Sequence, residues 1–201
     1  MPPIPELEAI RKAQILEAAL KTISASGYAN VTMDDICRAA GLSKGGLAHY
    51  YRSKNELFVA VFKEFFERIF QRSKQTMELY ENPVDKLLSF DWLYDRNDPD
   101  VNVGYPVLFD CMSLAVREKE YRSLFHDWFE NWVNLLKDAI DVGLKKGIFR
   151  NLDSESTARA ISSVYQGIAT RWYLDNESHT TKWAVESFKK AITGLLSSNN
   201  K

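Results

Sequence analysis

The chain has 201 residues, 45% of them hydrophobic and 26% charged, with a formal net charge of -1 and a pI near 6.3. This length supports one large domain or a small one leaning on a larger, and the near-neutral balance excludes a global positive field that would draw it to polyanions. No run of about 18 apolar residues marks a membrane span, and the opening MPPIPELEAIRKAQ lacks the basic-then-apolar form of a signal peptide, so a cytoplasmic protein with no membrane contact is expected.

In chain order, the periodic segment from Ile10 through Ile23 reads as a helix ending at Gly27. Thr32 followed by Asp35, with Ile36, Ala39 and Ala40 behind it, has the form of a capping box and predicts a short helix over Met33–Ala40. Gly41 stands where the left-handed C-terminal residue belongs. Ser43 can cap a second helix from Lys44, and Ser53 with Glu56 repeats the capping-box pattern for a third. Two short helices joined by a tight turn containing Gly form a helix-turn-helix, whose second helix enters the DNA major groove. On that helix Lys44, His49, Tyr50 and Arg52 offer donors, Gly45, Gly46 and Ala48 leave a flat surface, and Leu47 and Tyr51 pack inward. DNA attraction must therefore be local and salt-sensitive.

These residues carry a resemblance. The segment from Thr32 to Leu57, TMDDICRAAGLSKGGLAHYYRSKNEL, resembles the amino-terminal DNA-binding domain of the TetR/AcrR transcriptional regulators, matching at Thr32, Asp35, Ile36, Ala39, Ala40, Gly41, Ser43, Lys44, Gly45, Leu47, Tyr50, Tyr51, Ser53, Lys54, Glu56 and Leu57. The resemblance covers roughly the first 60 residues. It implies phosphate or groove contacts from Thr32, Ser43, Lys44, Tyr50 and Lys54, with Gly45 and His49 beside them. Two departures matter: Ala48 stands where the family often has a tyrosine, and Gly46 replaces a common threonine.

Beyond this unit the chain reads as helix after helix. Ser53 to about Tyr80 is one long helix, followed by Pro83 to Tyr94, Pro106 to Arg117, Tyr121 to Lys146, Ser154 to Leu174 and Thr180 to Ser197, each with apolar residues at three- and four-residue spacing. Turn signals stand at Asn82-Pro83, Asn97-Asp98-Pro99, Gly104 to Pro106, Gly147 and Asn176 to Ser178. The expected architecture is all-α, with a helix-turn-helix DNA-binding domain over residues 1–54 and a larger helical ligand-binding and dimerisation domain over 55–201.

Aromatic residues crowd the second region. For any one of them packing is the simpler account, but as a set they fit a cavity. The resemblance implies a small-molecule pocket there, and the candidate lining is Phe62, Phe66, Trp92, Phe109, Met112, Trp128, Trp132 and Tyr165. Such rings suit an apolar, aromatic or cationic ligand, with Asp91, Asp110 and Asp127 as candidate counter-charges or plain surface carboxylates. The helix STARAISSVYQGIATRWYL has an apolar stripe (Ala158, Ile161, Tyr165, Ile168, Trp172) and a small-residue stripe (Ser163, Gly167, Thr170, Leu174). With Phe188, Ile192 and Leu195 of the last helix, the second stripe suits a twofold interface, and the resemblance implies a homodimer through these two helices; a buried helix in a monomer is the competing account.

Chemistry-bearing motifs are lacking. Cys37 and Cys111 stand far apart without a CxxC pair, and His49, His126 and His179 are scattered, so no metal site or cofactor is expected. Cys37 is more simply a small buried thiol than a redox sensor. Without GxSxG, HExxH, GxxxxGK[ST] or GxGxxG there is no sign of an enzyme. The expected function is a ligand-responsive transcriptional regulator, most often a repressor in this family, binding a palindromic double-stranded DNA operator as a homodimer and released by a small molecule. A helical small-molecule-binding protein with no DNA role would explain the aromatics but not the capped helix triplet.

Overall fold

The structure, a computed structural model, describes residues 5–197. The opening residues before Pro5, part of the stretch read for a leader, lie outside the described residues. Nine helices run through the described chain: α1 (Pro5–Ser26), α2 (Met33–Ala40), α3 (Lys44–Tyr50), α4 (Lys54–Glu78), α5 (Pro83–Leu87), α6 (Pro99–Ala115), α7 (Lys119–Lys145), α8 (Ser154–Leu174) and α9 (Thr181–Ser197), with 3-10 turns at Tyr28–Asn30 and Asp91–Tyr94. No strand occurs among the described residues, and no helix among them is long and apolar enough to cross a membrane. The all-α fold is as expected.

The chain packs as two compact units, one formed by residues up to Arg68 with Asn102–Phe125, the other by Ile69–Val101 with the residues from His126 onward. In the first, Ile15, Ala19 and Ile23 of α1 meet Ile36 of α2, Leu47 of α3 and the start of α4 in a core where Leu57, Phe58 and Phe62 are fully covered. Gly104 of α6 admits the Phe65 ring: a Cβ there would stand 2.3 Å from Phe65 Cζ. In the second, Ala158, Ile161, Tyr165 and Trp172 of α8 face Ala184, Phe188, Ile192 and Leu196 of α9, all buried. The apolar stripe read from the sequence of α8 thus lies largely inside.

Besides α1, which starts at Pro5 rather than Ile10, two elements differ from expectation, each for a local reason. The helix begun at Asn82-Pro83 stops at Leu87, where the Ser89 hydroxyl turns back to the Lys86 carbonyl at 2.8 Å, and the chain resumes as the Asp91–Tyr94 turn. Gly104 to Pro106 is no turn. α6 already starts at Pro99, because Asp98 Oδ1 accepts the amides of Asp100 at 2.9 Å and Val101 at 3.2 Å and a proline fits the first helical position. Burial works against the Asp98 charge, but the Arg72 guanidinium and these amides hold its carboxyl below the usual range. Arg72 also reaches Asp100 at 3.0 Å and stacks 3.9 Å over the Trp92 ring.

Candidate nucleic-acid interface and ligand region

Short-range capping builds the helix pair. Thr32 Oγ1 accepts from the Asp35 amide at 3.2 Å while Asp35 Oδ2 accepts from the Thr32 amide at 2.8 Å, a complete capping box. The Thr32 hydroxyl and amide, with Arg38 nearby, hold the Asp35 carboxyl below its usual range. Gly41 closes α2 at φ 63°, ψ 39°, with its own amide on the Arg38 carbonyl at 3.3 Å and the Leu42 amide on Cys37 at 2.9 Å. Ser43 Oγ then accepts from the Gly46 amide at 3.1 Å, starting α3 at Lys44. At α4 the box is offset: the Glu56 amide reaches Ser53 Oγ at 3.1 Å, but the Glu56 carboxylate takes the Arg52 amide at 2.8 Å.

This local geometry turns one face of α3 outward. Leu47 is 1% exposed and Tyr51 is buried, whereas Lys44, Gly45, Ala48 and His49 are exposed and Tyr50 is half-buried, its ring edge-on to His49 at 5.1 Å. No atom lies within 4 Å of where a Cβ on Gly45 would stand, while one on Gly46 would sit 3.2 Å from the capping Ser43 hydroxyl. Lys44 Nζ pairs with Asp34 at 2.7 Å, a hydrogen bond that raises its pKa. Both partners face solvent, so the pair opens at little cost. Thr32 and Ser43 are exposed but use their hydroxyls as caps.

Lys54 stands differently from the other candidate contacts. It is half-buried, with its ammonium 4.2 Å over the Tyr28 ring and 3.5 Å from the Ala29 carbonyl, and burial lowers its pKa against the opposing pull of Asp110. Tyr28 stacks on Phe58 at 4.4 Å and donates its amide to Asp110 Oδ2 at 2.6 Å. Tyr121 donates to Asn55 Oδ1 at 2.6 Å, and Asn55 to Glu120 at 3.1 Å. Sequence reasoning missed the Asp110 bond, since 82 positions separate the partners and no local pattern announces it.

The aromatic candidates divide between the two units. Phe62 and Phe66, with ring centroids 3.6 Å apart, pack with Phe125 at 5.4 and 5.9 Å, Phe109 lies 6.3 Å from Tyr105, and Met112 is 43% exposed. In the second unit Trp132 meets Trp128 at 6.4 Å, Tyr165 at 6.1 Å and Phe90 at 5.2 Å, a ring cluster buried except for the half-buried Trp128, while Trp92 lies beneath Arg72. The Nε1 donors of Trp92 and Trp132 are buried and meet no acceptor among the described residues. Of the candidate counter-charges, Asp91 pairs with Lys189 at 2.6 Å, Asp110 is committed to Tyr28, and Asp127 is exposed. Cys37 and Cys111 are both buried thiols, and burial pushes the Cys111 thiol far up. Among the described residues no group of three or more His, Cys, Asp or Glu side chains is placed to hold a metal ion.

The candidate interface residues separate sharply by exposure. Ser163, Gly167 and Leu174 face solvent and Thr170 and Leu195 are partly covered. Ser163 and Thr170 bond back to the carbonyls of Arg159 and Gln166 at 2.8 Å, leaving methylene, methyl and backbone surface outward. Phe188 and Ile192 are fully buried within the chain, Phe188 lying 4.3 Å from Tyr165 and 6.1 Å from Tyr94. Their side chains belong to the chain's own core.

Comparison with known proteins extends the local geometry to the whole chain. Residues 15–61 match the family model for bacterial regulatory proteins of the tetR family, and residues 98–197 match that for the C-terminal region of BetI-type transcriptional repressors. The HTH-type transcriptional repressor KstR2 of Mycolicibacterium smegmatis is 26% identical over 185 residues, covering 86% of this chain and 83% of that protein. The HTH-type transcriptional regulator CymR of Pseudomonas putida is 26% identical over 169 residues, covering 83% and 82%. In fold, the chain is similar to a putative transcriptional regulator from Saccharomonospora viridis solved in complex with choline, with a TM-score of 0.83 and 19% identity over 92% of this chain and 96% of that one. With its capped helix-turn-helix, its all-helical remainder and family models matching both, the chain belongs to the TetR family of transcriptional regulators.

Proposed function

We propose that this regulator binds a palindromic double-stranded DNA operator as a homodimer, acts there as a repressor, and is released by a small apolar, aromatic or cationic molecule. The observation that carries this reading is the outward face of α3, where Lys44, Gly45 and His49 stand exposed beside Tyr50 on a helix anchored from behind by Leu47 and Tyr51. Residues 1–54 then read DNA, with Thr32, Ser43 and Lys54 flanking the groove, and residues 55–201 hold the ligand and dimer surfaces. A single sparse reader needs a second copy about 34 Å away, one DNA turn, to select a site.

The stripe of exposed Ser163, Gly167 and Leu174 with the partly covered Thr170 supports dimerisation, since a Cβ at Gly167 would meet no atom within 4 Å and a partner helix can approach closely. Leu195 extends that surface, and Phe188 and Ile192 support it from within. For the ligand, Trp92, Trp128, Trp132 and Tyr165 of the second unit and Phe62, Phe66, Phe109 and Met112 of the first supply the candidate contacts. The unmatched indole donors of Trp92 and Trp132 favour a ligand bearing an oxygen acceptor, and the choline found in the similar Saccharomonospora viridis regulator supports a small-molecule ligand. Such a ligand releases DNA only through its differential affinity for the two dimer states.

A mobility-shift assay with the DNA upstream of the protein's own gene tests the reading. Saturable, sequence-specific retention is expected, weakened about tenfold by Tyr50→Ala at matched salt with the dimer mass unchanged. Unchanged binding would remove Tyr50 from the interface. No specific retention by the wild-type protein on this and adjoining promoters would overturn the DNA role.

A further inference from the structure

The turn that leads into the DNA-reading helices has no cap of its own. Gly27, at φ 78°, precedes the Tyr28–Asn30 turn and has no side chain to receive the first amide. Helix and turn starts leave such donors orphaned, to be met by water or by a side chain from elsewhere in the fold. Here the acceptor comes from α6: Asp110 Oδ2 receives the Tyr28 amide at 2.6 Å. A carboxylate accepting from a backbone amide makes one of the stronger hydrogen bonds available to a chain. The turn it closes runs into Val31, which is 2% exposed, and then directly into Thr32, the residue that caps α2. On the other side of the turn, Phe58 stacks on the Tyr28 ring at 4.4 Å and Lys54 lies over it at 4.2 Å.

We propose that Asp110 is a positioning residue for DNA recognition: its carboxylate supplies from α6 the cap that the Tyr28–Asn30 turn lacks, and so fixes where the chain enters α2 and α3. The assignment rests on the DNA-reading role proposed above for those helices.

Two substitutions of equal charge isolate the bond. Asp110→Asn keeps an oxygen acceptor for the Tyr28 amide, whereas Asp110→Ala removes it, and both delete the same negative charge near Lys54. On the DNA upstream of the protein's own gene, Asp110→Ala is expected to bind about tenfold more weakly than Asp110→Asn, with equal helix content and dimer mass. Equal affinities of the two variants would overturn the proposal. Should Asp110→Ala fail to fold, amide hydrogen exchange decides: in the wild-type protein the Tyr28 amide is expected to be protected, and exchange at the rate of an open chain would overturn the cap. That measurement needs no DNA. A wild-type protein that retains no DNA yet protects Tyr28 would refute the DNA role and leave the cap standing.

Discussion

The α2–α3 pair and the aromatic cluster around α8 are built on opposite principles. In the first, every helix end is satisfied within four or five residues, Thr32 by Asp35, Gly41 by Arg38, Ser43 by Gly46, and the side chains assigned to DNA point away from the core. In the second, Trp172 and Tyr94 are fully buried and are joined through one hydroxyl: Trp172 Nε1 donates to Thr181 Oγ1 at 3.1 Å, and the Thr181 hydroxyl donates at 2.9 Å to the carbonyl of Tyr94, 87 positions away in the chain. A surface held by short-range contacts can be changed residue by residue. A packed aromatic region cannot, because each ring serves several neighbours.

Three substitutions test that contrast, beginning with the largest effect. Trp172→Ala removes a fully buried indole on which Arg96 stacks at 4.4 Å, and is expected to cost roughly 3–5 kcal/mol, read as a drop in Tm by circular dichroism. A change within experimental error would show that the second unit is loosely packed and erase the contrast. Thr32→Ala removes half of a capping box on an exposed helix end and is expected to cost about 1 kcal/mol of stability. A loss matching that of Trp172→Ala would mean that the reading helices are as non-local as the cluster. Asp34→Asn releases Lys44 from its carboxylate partner without touching the core, so Tm is expected to hold while DNA affinity rises about two- to fourfold at low salt and less at high salt. A lower affinity would assign Asp34 a direct role at the groove.

The legible parts of the sequence were those where structure is decided locally. The starts of α2 and α3 follow from Thr32 and Ser43 acting on amides three positions ahead, and the structure shows Asp153 doing the same for α8. α6 was misjudged because Gly104 and Pro106 carry the usual marks of a turn, and only the Phe65 ring filling the space over Gly104 shows why a glycine belongs in that helix. Likewise an apolar stripe reveals that a face is buried, not by what: Phe188 and Ile192 fit a partner's surface on paper, yet both are fully buried within their own chain, Phe188 against Tyr165 and Tyr94. For the candidate sites, Lys44 and Tyr50 could be singled out from the motif, whereas Lys54 settling over Tyr28, and Asp110 bonding to it, depend on packing that no short window contains.

The cap that Asp110 gives Tyr28 also bears on how the protein is made. Chains emerge from the ribosome amino end first, so the three helices that carry the DNA motif are synthesised long before residue 110 exists. Their entry turn stays incomplete until α6 follows, and Tyr121 and Glu120, which engage Asn55, come later still. The nascent motif therefore acquires its finished shape only after more than half of the 201 residues have been joined. A truncated product ending before α6 carries the whole recognition sequence but lacks the Asp110 carboxylate that accepts the Tyr28 amide.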